Sequence, residues 1–281
     1  MGLKKPKFSY RYVVITCVLI TIISLILQLV GEGLLVLLAG KDVSPALTPL
    51  LYVLPLAFMT LVILKCRMGS ILKGSTKSFL SGMAISWPLF IYCIAVFLVT
   101  YIPADKSELT ALDIGQWSLF LVLMLLIGIF EEILCRGILL ELMLRKWGNT
   151  RKGIFLSAFM SSLVFGFAHL VNLIGAADML IATIAQVLYA TLFGVFFAAV
   201  YLCSQNIWVV VLLHAVYDGF AMIVEARMPV VSPDTTAPGL AVLSVVIFIP
   251  LCLYGVFLMR KANLTPQILN PGQPLVPEET L

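Results

Sequence analysis

Apolar residues run through this chain in long blocks, near positions 12–31, 47–64, 78–102, 114–143, 153–174, 178–203, 207–225 and 239–259. Each block approaches or exceeds the roughly 20 residues that a helix needs to cross the hydrocarbon of a bilayer. The pattern predicts an all-α fold: a polytopic membrane helix bundle with about eight transmembrane helices, in which 1–281 form a single integral membrane domain. The first block is longer than a signal-peptide core and lacks a small-residue cleavage site, so it is read as a helix. The opening "MGLKKP" begins like a myristoylation site, but Pro6 stands where serine or threonine is wanted. The proline-rich, polar stretch 262–281 is expected to be a flexible C-terminal tail.

Composition sharpens this reading. Hydrophobic residues make up 62% of the 281 positions and charged residues 11%, where a soluble domain carries about a quarter charged. The charges are also sorted. Lys4, Lys5, Lys7 and Arg11 precede the first block; Lys65, Arg67, Lys73 and Lys77 fill the second connection. Arg145, Lys146, Arg151 and Lys152 fill the fourth, and Arg260 and Lys261 follow the last block. The odd-numbered connections hold only Lys41, Lys106 and Arg227, beside acids such as Asp105, Glu108 and Asp113. That alternation predicts both termini in the cytoplasm. The net charge of +4 needs no nucleic-acid partner, because anionic headgroups of the lipid bilayer account for the basic clusters. The six cysteines are spread one per segment without a C-x-x-C, which argues against a disulfide framework or a thiolate zinc cage.

A charge at the bilayer centre costs on the order of 3 kcal/mol, so each one there needs a reason. Glu32 follows a full span, Glu141 precedes Arg145 by one helical turn, and Asp178 and Glu225 fall near block ends. Glu131, Glu132, Arg136, His169, His214 and Asp218 have no such explanation, and the two histidines are the only ones in the protein. Glu132 and Arg136 are spaced to share a helix face and pair; Glu131 is rotated by about 100° from its neighbour. Phe165 and His169, and likewise His214 and Asp218, share a face in the same way. With neutral imidazoles, the three acids and Arg136 leave a formal charge of −2. A dry bundle would not hold that, so a wetted, partly protonated or cation-binding site is expected. Interhelical tethering alone explains the groups poorly, since such hydrogen bonds contribute about 0.6 kcal/mol on average. Depth counts are less tidy: Glu131 lies about 21 Å along the helix from Arg145, His214 only about 10 Å from Ile207.

Such a set suits hydrolysis. Glu131 can act as general base on a water that His169 holds, while His214 and a neighbour stabilise the oxyanion. Zinc held by Glu131, His169, His214 and Asp218 is equally compatible with the residue types. Other intramembrane hydrolases fit less well. There is no H-E-x-x-H and no G-x-S-x-G. Ser161 and Ser162 lie on the same helix as His169, where a packing role is commoner.

"EEILCR" (Glu131, Glu132, Arg136), "FGFAH" (Phe165, His169) and "HAVYD" (His214, Asp218) occur in that order on successive membrane helices. The series resembles the E-E-x-x-x-R, F-x-x-x-H and H-x-x-x-N/D signature of the type II CAAX prenyl endopeptidase family, also called CPBP or Abi. The resemblance covers about 114–225, which would be the catalytic core, and implies an intramembrane glutamic endopeptidase with no cofactor. It implies that Glu131 activates the water with His169, that His214 and Asp218 form the oxyanion hole, that Glu132 and Arg136 support the site, and that Phe165 shapes the pocket. An ionised Asp218 cannot donate to an oxyanion, so it is either protonated, orients His214 or ligates a metal. The expected substrate is a membrane-associated peptide or protein, and the expected location a bacterial cytoplasmic membrane. The competing reading is a non-catalytic bacteriocin-immunity factor or a proton-coupled carrier using the same groups, although the chain shows no internal repeat of the kind carriers carry.

Overall fold

The computed structural model describes residues 12–40, 44–102, 104–174, 176–228, 238–262 and 264, with backbone only at 177 and 238–242. The basic cluster of Lys4, Lys5, Lys7 and Arg11, Lys41, and nearly all of the tail expected at 262–281 lie outside the described residues.

Every apolar block becomes helical, and no strand occurs among the described residues. The helices are α1 (Val13–Ala39), α2 (Val53–Lys65, led in by a 3-10 stretch Pro45–Tyr52), α3 (Thr76–Ile85), α4 (Trp87–Tyr101) and α5 (Ile114–Glu132). A π-helical stretch, Ile133–Leu139, joins α5 to α6 (Leu140–Trp147). Then follow α7 (Arg151–Ala168, extended by 3-10 residues His169–Leu173), α8 (Leu180–Ser204), α9 (Ile207–Met222) and α10 (Pro238–Lys261). Six segments are long and apolar enough to cross a membrane: Val13–Ala39, Pro45–Lys65, Ile114–Trp147, Arg151–Leu173, Leu180–Ser204 and Leu243–Lys261. The pair α3–α4, bent by 57°, makes a seventh if it counts as one span, and α9 is a shorter apolar helix. The bend falls where Pro88 enters the first turn of α4, a position that suits proline at a helix start but not inside one.

Local chemistry sets the helix ends. Asp113 and Gln116 form a reciprocal capping box at the start of α5, each side chain accepting from the other's backbone N–H. Ser75 and Ser78 do the same for α3, Thr150 caps α7 through Gly153 N, and Asn206 caps α9 through Trp208 N. The expected surface pair of Glu141 and Arg145 forms at 2.7 Å, and the same guanidinium reaches the Cys66 carbonyl at 2.8 Å, tying α6 to the end of α2.

α8 is the most buried helix, with Phe196, Phe197, Ala198, Ala199 and Val200 fully enclosed, and α7 and α10 pack along it. α9 lies between α4 and α5. Two glycines permit the approaches that matter for the site. A Cβ on Gly128 of α5 would stand 2.6 Å from the Val211 carbonyl oxygen of α9, and one on Gly194 of α8 would stand 2.8 Å from Ser162 Cβ of α7. Much of the outer surface is apolar, including Leu37, Leu38 and Ile114. Such a surface is an aggregation liability in water and ordinary against lipid. α1 runs eight residues past the predicted end at 31, because "GLLVLLA" continues the apolar run, and Glu32 therefore lies within the helix.

Candidate active site

The site grows from the junction of α5 and the π-helical stretch. Leu140 N–H reaches back to Cys135 O, the wide hydrogen-bond register of a π-helix, which appears mostly as short bulges at functional sites. Glu131 and Glu132 close α5 on one side of this distortion, and Arg136 lies within it. Glu132 and Arg136 are both 0% exposed. Arg136 Nη1 donates to Glu132 Oε1 at 2.7 Å, the pair expected from their spacing. The guanidinium carbon also sits 4.5 Å above the Phe165 ring and 5.4 Å from that of Phe197. This is a desolvated cation–π arrangement, of a kind that contributes about 2 kcal/mol. Among the described residues, Arg136 Nε and Nη2 and Glu132 Oε2 have no hydrogen-bond partner.

Glu132 has a second partner. His214 Nδ1 lies 2.6 Å from the same Oε1. A carboxylate oxygen already accepting from a guanidinium can only accept again, so Nδ1 carries a proton. The imidazole is thereby fixed in rotation and tautomer, and it stacks on Phe197 at 5.2 Å between centroids. Its other nitrogen, Nε2, faces Glu131 Oε2 at 3.4 Å and Asp218 Oδ2 at 3.6 Å. One buried imidazole therefore meets three carboxylates. A second ring proton would let Nε2 donate to Glu131 or Asp218 and bring the local charge from −2 to −1.

His169 arrives from the end of α7. There the helix tightens to 3-10, and the His169 backbone N–H turns to Gly166 O. That leaves the Phe165 carbonyl without its α-helical donor. His169 Nδ1 takes the place at 3.1 Å, and the ring meets Phe165 edge-on with centroids 5.0 Å apart. A carbonyl only accepts, so Nδ1 is the protonated nitrogen and Nε2 of the neutral ring is the acceptor.

Glu131 and His169 share the wall of a cavity of about 210 Å³, together with Phe165, Tyr52, Gln28 and Asn172. The Glu131 side chain is 26% exposed, against 0% for Glu132. Of the neighbouring carboxylates, Glu131 is the one that meets the cavity. His214 and Asp218 stand behind it, touching Glu131 without lining that cavity. A second hollow of about 500 Å³, lined from α4, α5 and α9, is almost wholly apolar, with Trp117, Phe120, Met124, Ala215, Gly219 and Phe220 among its residues.

All residues singled out from sequence thus gather where α5, the π-helical stretch, α7 and α9 meet. The offset counted along the helices does not keep Glu131 and His214 apart, since their side chains meet at 3.4 Å. Ser161 and Ser162 donate back to the Ala158 carbonyl, as packing serines do. Tyr52, Phe197 and the π-helical register were not legible in sequence; an aromatic inside an apolar block carries no mark of facing a cavity. Zinc needs a convergent set of protein donors at about 2.0–2.2 Å. Among the described residues no group of three or more His, Cys, Asp or Glu side chains is arranged to hold a metal ion. The zinc alternative finds no ligand set among the described residues.

Residues 113–220 match the family described as Type II CAAX prenyl endopeptidase Rce1-like. This stretch of the chain is similar to a family of membrane proteases. The matched stretch runs from the cap of α5 to the end of α9 and contains Glu131, Glu132, Arg136, Phe165, His169, His214 and Asp218. No curated protein and no solved structure matches the chain.

Proposed function

We propose that this protein is an intramembrane glutamic endopeptidase that hydrolyses a peptide bond of a membrane-associated peptide or protein. The observation that carries the proposal is the placement of Glu131. Its carboxylate opens onto the cavity that His169 also lines, while its rear side meets His214 at 3.4 Å.

In this reading Glu131 takes a proton from a water in the cavity, and His169 Nε2, left as an acceptor, holds the same water against the scissile carbonyl. The hydroxide adds to the carbonyl carbon, and the proton passes by way of Glu131 to the leaving amine as the C–N bond breaks. Glu132 is a positioning residue: it fixes the Nδ1–H tautomer of His214, and its own charge is balanced by Arg136. His214 then presents an Nε2–H to the developing oxyanion when its ring carries both protons. Asp218, facing that nitrogen at 3.6 Å, orients the ring. The apolar hollow between α5 and α9 fits the greasy portion of a substrate approaching from lipid. The location proposed is a bacterial cytoplasmic membrane.

The test is cleavage of a quenched peptide library by liposome-reconstituted protein. Activity lost in both Glu131→Gln and His169→Ala supports the proposal. A proton flux through liposomes without any cleavage would replace it with a carrier.

A further inference from the structure

A tetrahedral oxyanion is usually met by more than one hydrogen-bond donor, and His214 stands behind Glu131 rather than on the cavity wall. On the wall itself the side-chain donors are the amides of Gln28 and Asn172 and the hydroxyl of Tyr52. Glu131 only accepts, and His169 has spent its N–H on the Phe165 carbonyl. Asn172 donates to Gln186 at 2.9 Å, and Gln28 is the other amide. Tyr52 differs from both. It is 8% exposed and held edge-on against Phe130, the residue before Glu131, with ring centroids 5.9 Å apart. It lines the same cavity, and among the described residues none hydrogen-bonds its hydroxyl. A buried tyrosine usually finds a partner for its O–H. Here that hydroxyl belongs to a residue within electrostatic range of Glu131 and Asp218.

We propose that Tyr52 is a further catalytic residue, whose hydroxyl donates a hydrogen bond to the carbonyl oxygen of the scissile bond as negative charge develops there. The inference rests on the hydrolytic reading above. No proton is transferred; the O–H stays on tyrosine throughout. The 3-10 stretch Pro45–Tyr52 brings the ring to the cavity that Glu131 and His169 line.

Tyr52→Phe removes one oxygen and keeps the ring contact with Phe130. The expected result in liposomes is a kcat about 100-fold lower, a KM within twofold of the parent and an unchanged unfolding midpoint. A peptide phosphinate, whose charged oxygens mimic the tetrahedral oxyanion, should bind the variant about 100-fold more weakly, a readout that packing alone would not move. Should Tyr52→Phe accumulate poorly, Tyr52→His restores a donor and is expected to recover part of the rate. Full kcat in Tyr52→Phe, or a raised KM with kcat intact, overturns the role assigned to the hydroxyl. If instead the parent protein is as inactive as Glu131→Gln, it is the protease reading that falls.

Discussion

His214 Nδ1 lies 2.6 Å from Glu132 Oε1 inside a fully buried pocket. The second glutamate of the pair therefore works on α9 as well as on its own helix. It neutralises Arg136 within one turn and, across the helix contact, decides which way an imidazole points. Two adjacent acids in an apolar run thus divide their tasks. Glu131 meets the cavity, and Glu132 meets the protein.

The buried pair can be separated from its catalytic consequence. Glu132→Ala leaves the Arg136 charge uncompensated and is expected to cost about 3–5 kcal/mol of stability. The double variant Glu132→Leu with Arg136→Met removes both charges and should be clearly more stable than Glu132→Ala alone. It should remain inactive, because His214 has lost its anchor. Unfolding midpoints in detergent beside cleavage rates in liposomes check both halves.

Gly128→Ala tests the α5–α9 approach. The added methyl would stand 2.6 Å from the Val211 carbonyl oxygen, so the helices must part. Overpacking of this kind costs about 1–3 kcal/mol, but the larger effect is expected in kcat, since Glu131 and His214 sit one turn along from that contact. A thermal shift with undiminished kcat would show that the site tolerates the separation.

Phe165→Leu removes the ring that Arg136 covers and that His169 meets edge-on. Loss of a desolvated cation–π contact is worth about 2 kcal/mol. The expected outcome is a lowered unfolding midpoint together with a kcat reduced about tenfold, because His169 loses a lateral support while keeping its bond to the Phe165 carbonyl. Steady-state kinetics and a melting curve on the same preparation read both effects.

Cleavage is expected to persist after extensive dialysis against a chelator, since the carboxylates and imidazoles here are engaged with one another and with backbone rather than arranged as a ligand set. Activity abolished by the chelator and restored by zinc would reassign Glu131 from base to ligand.

Much of this was legible in the sequence for a physical reason. Ionisable groups are costly in lipid, so Glu131, Glu132, Arg136, His169, His214 and Asp218 stood out against their apolar surroundings, and helical spacing foretold the Glu132–Arg136 pair. The hidden parts lack such a contrast. Tyr52 sits in "LLYVLPL", where nothing distinguishes a cavity-facing aromatic from a lipid-facing one. The link from Glu132 to His214 crosses between helices, and helical spacing reports only neighbours on one helix. Nor does counting along the helices reveal how neighbouring helices are offset, so the meeting of Glu131 with His214 could not be read from it. The break between α3 and α4 had a visible sign in Pro88, but a proline alone does not say whether a helix kinks or ends.

The most direct test of the central claim, that Glu131 activates water and does not itself attack, is a single turnover in heavy-oxygen water. The account predicts one labelled oxygen in the new C-terminal carboxylate of the product, no label in the Glu131 side chain, and no detectable product with Glu131→Gln. Label recovered in the Glu131 carboxylate, or cleavage surviving in Glu131→Gln, would contradict it.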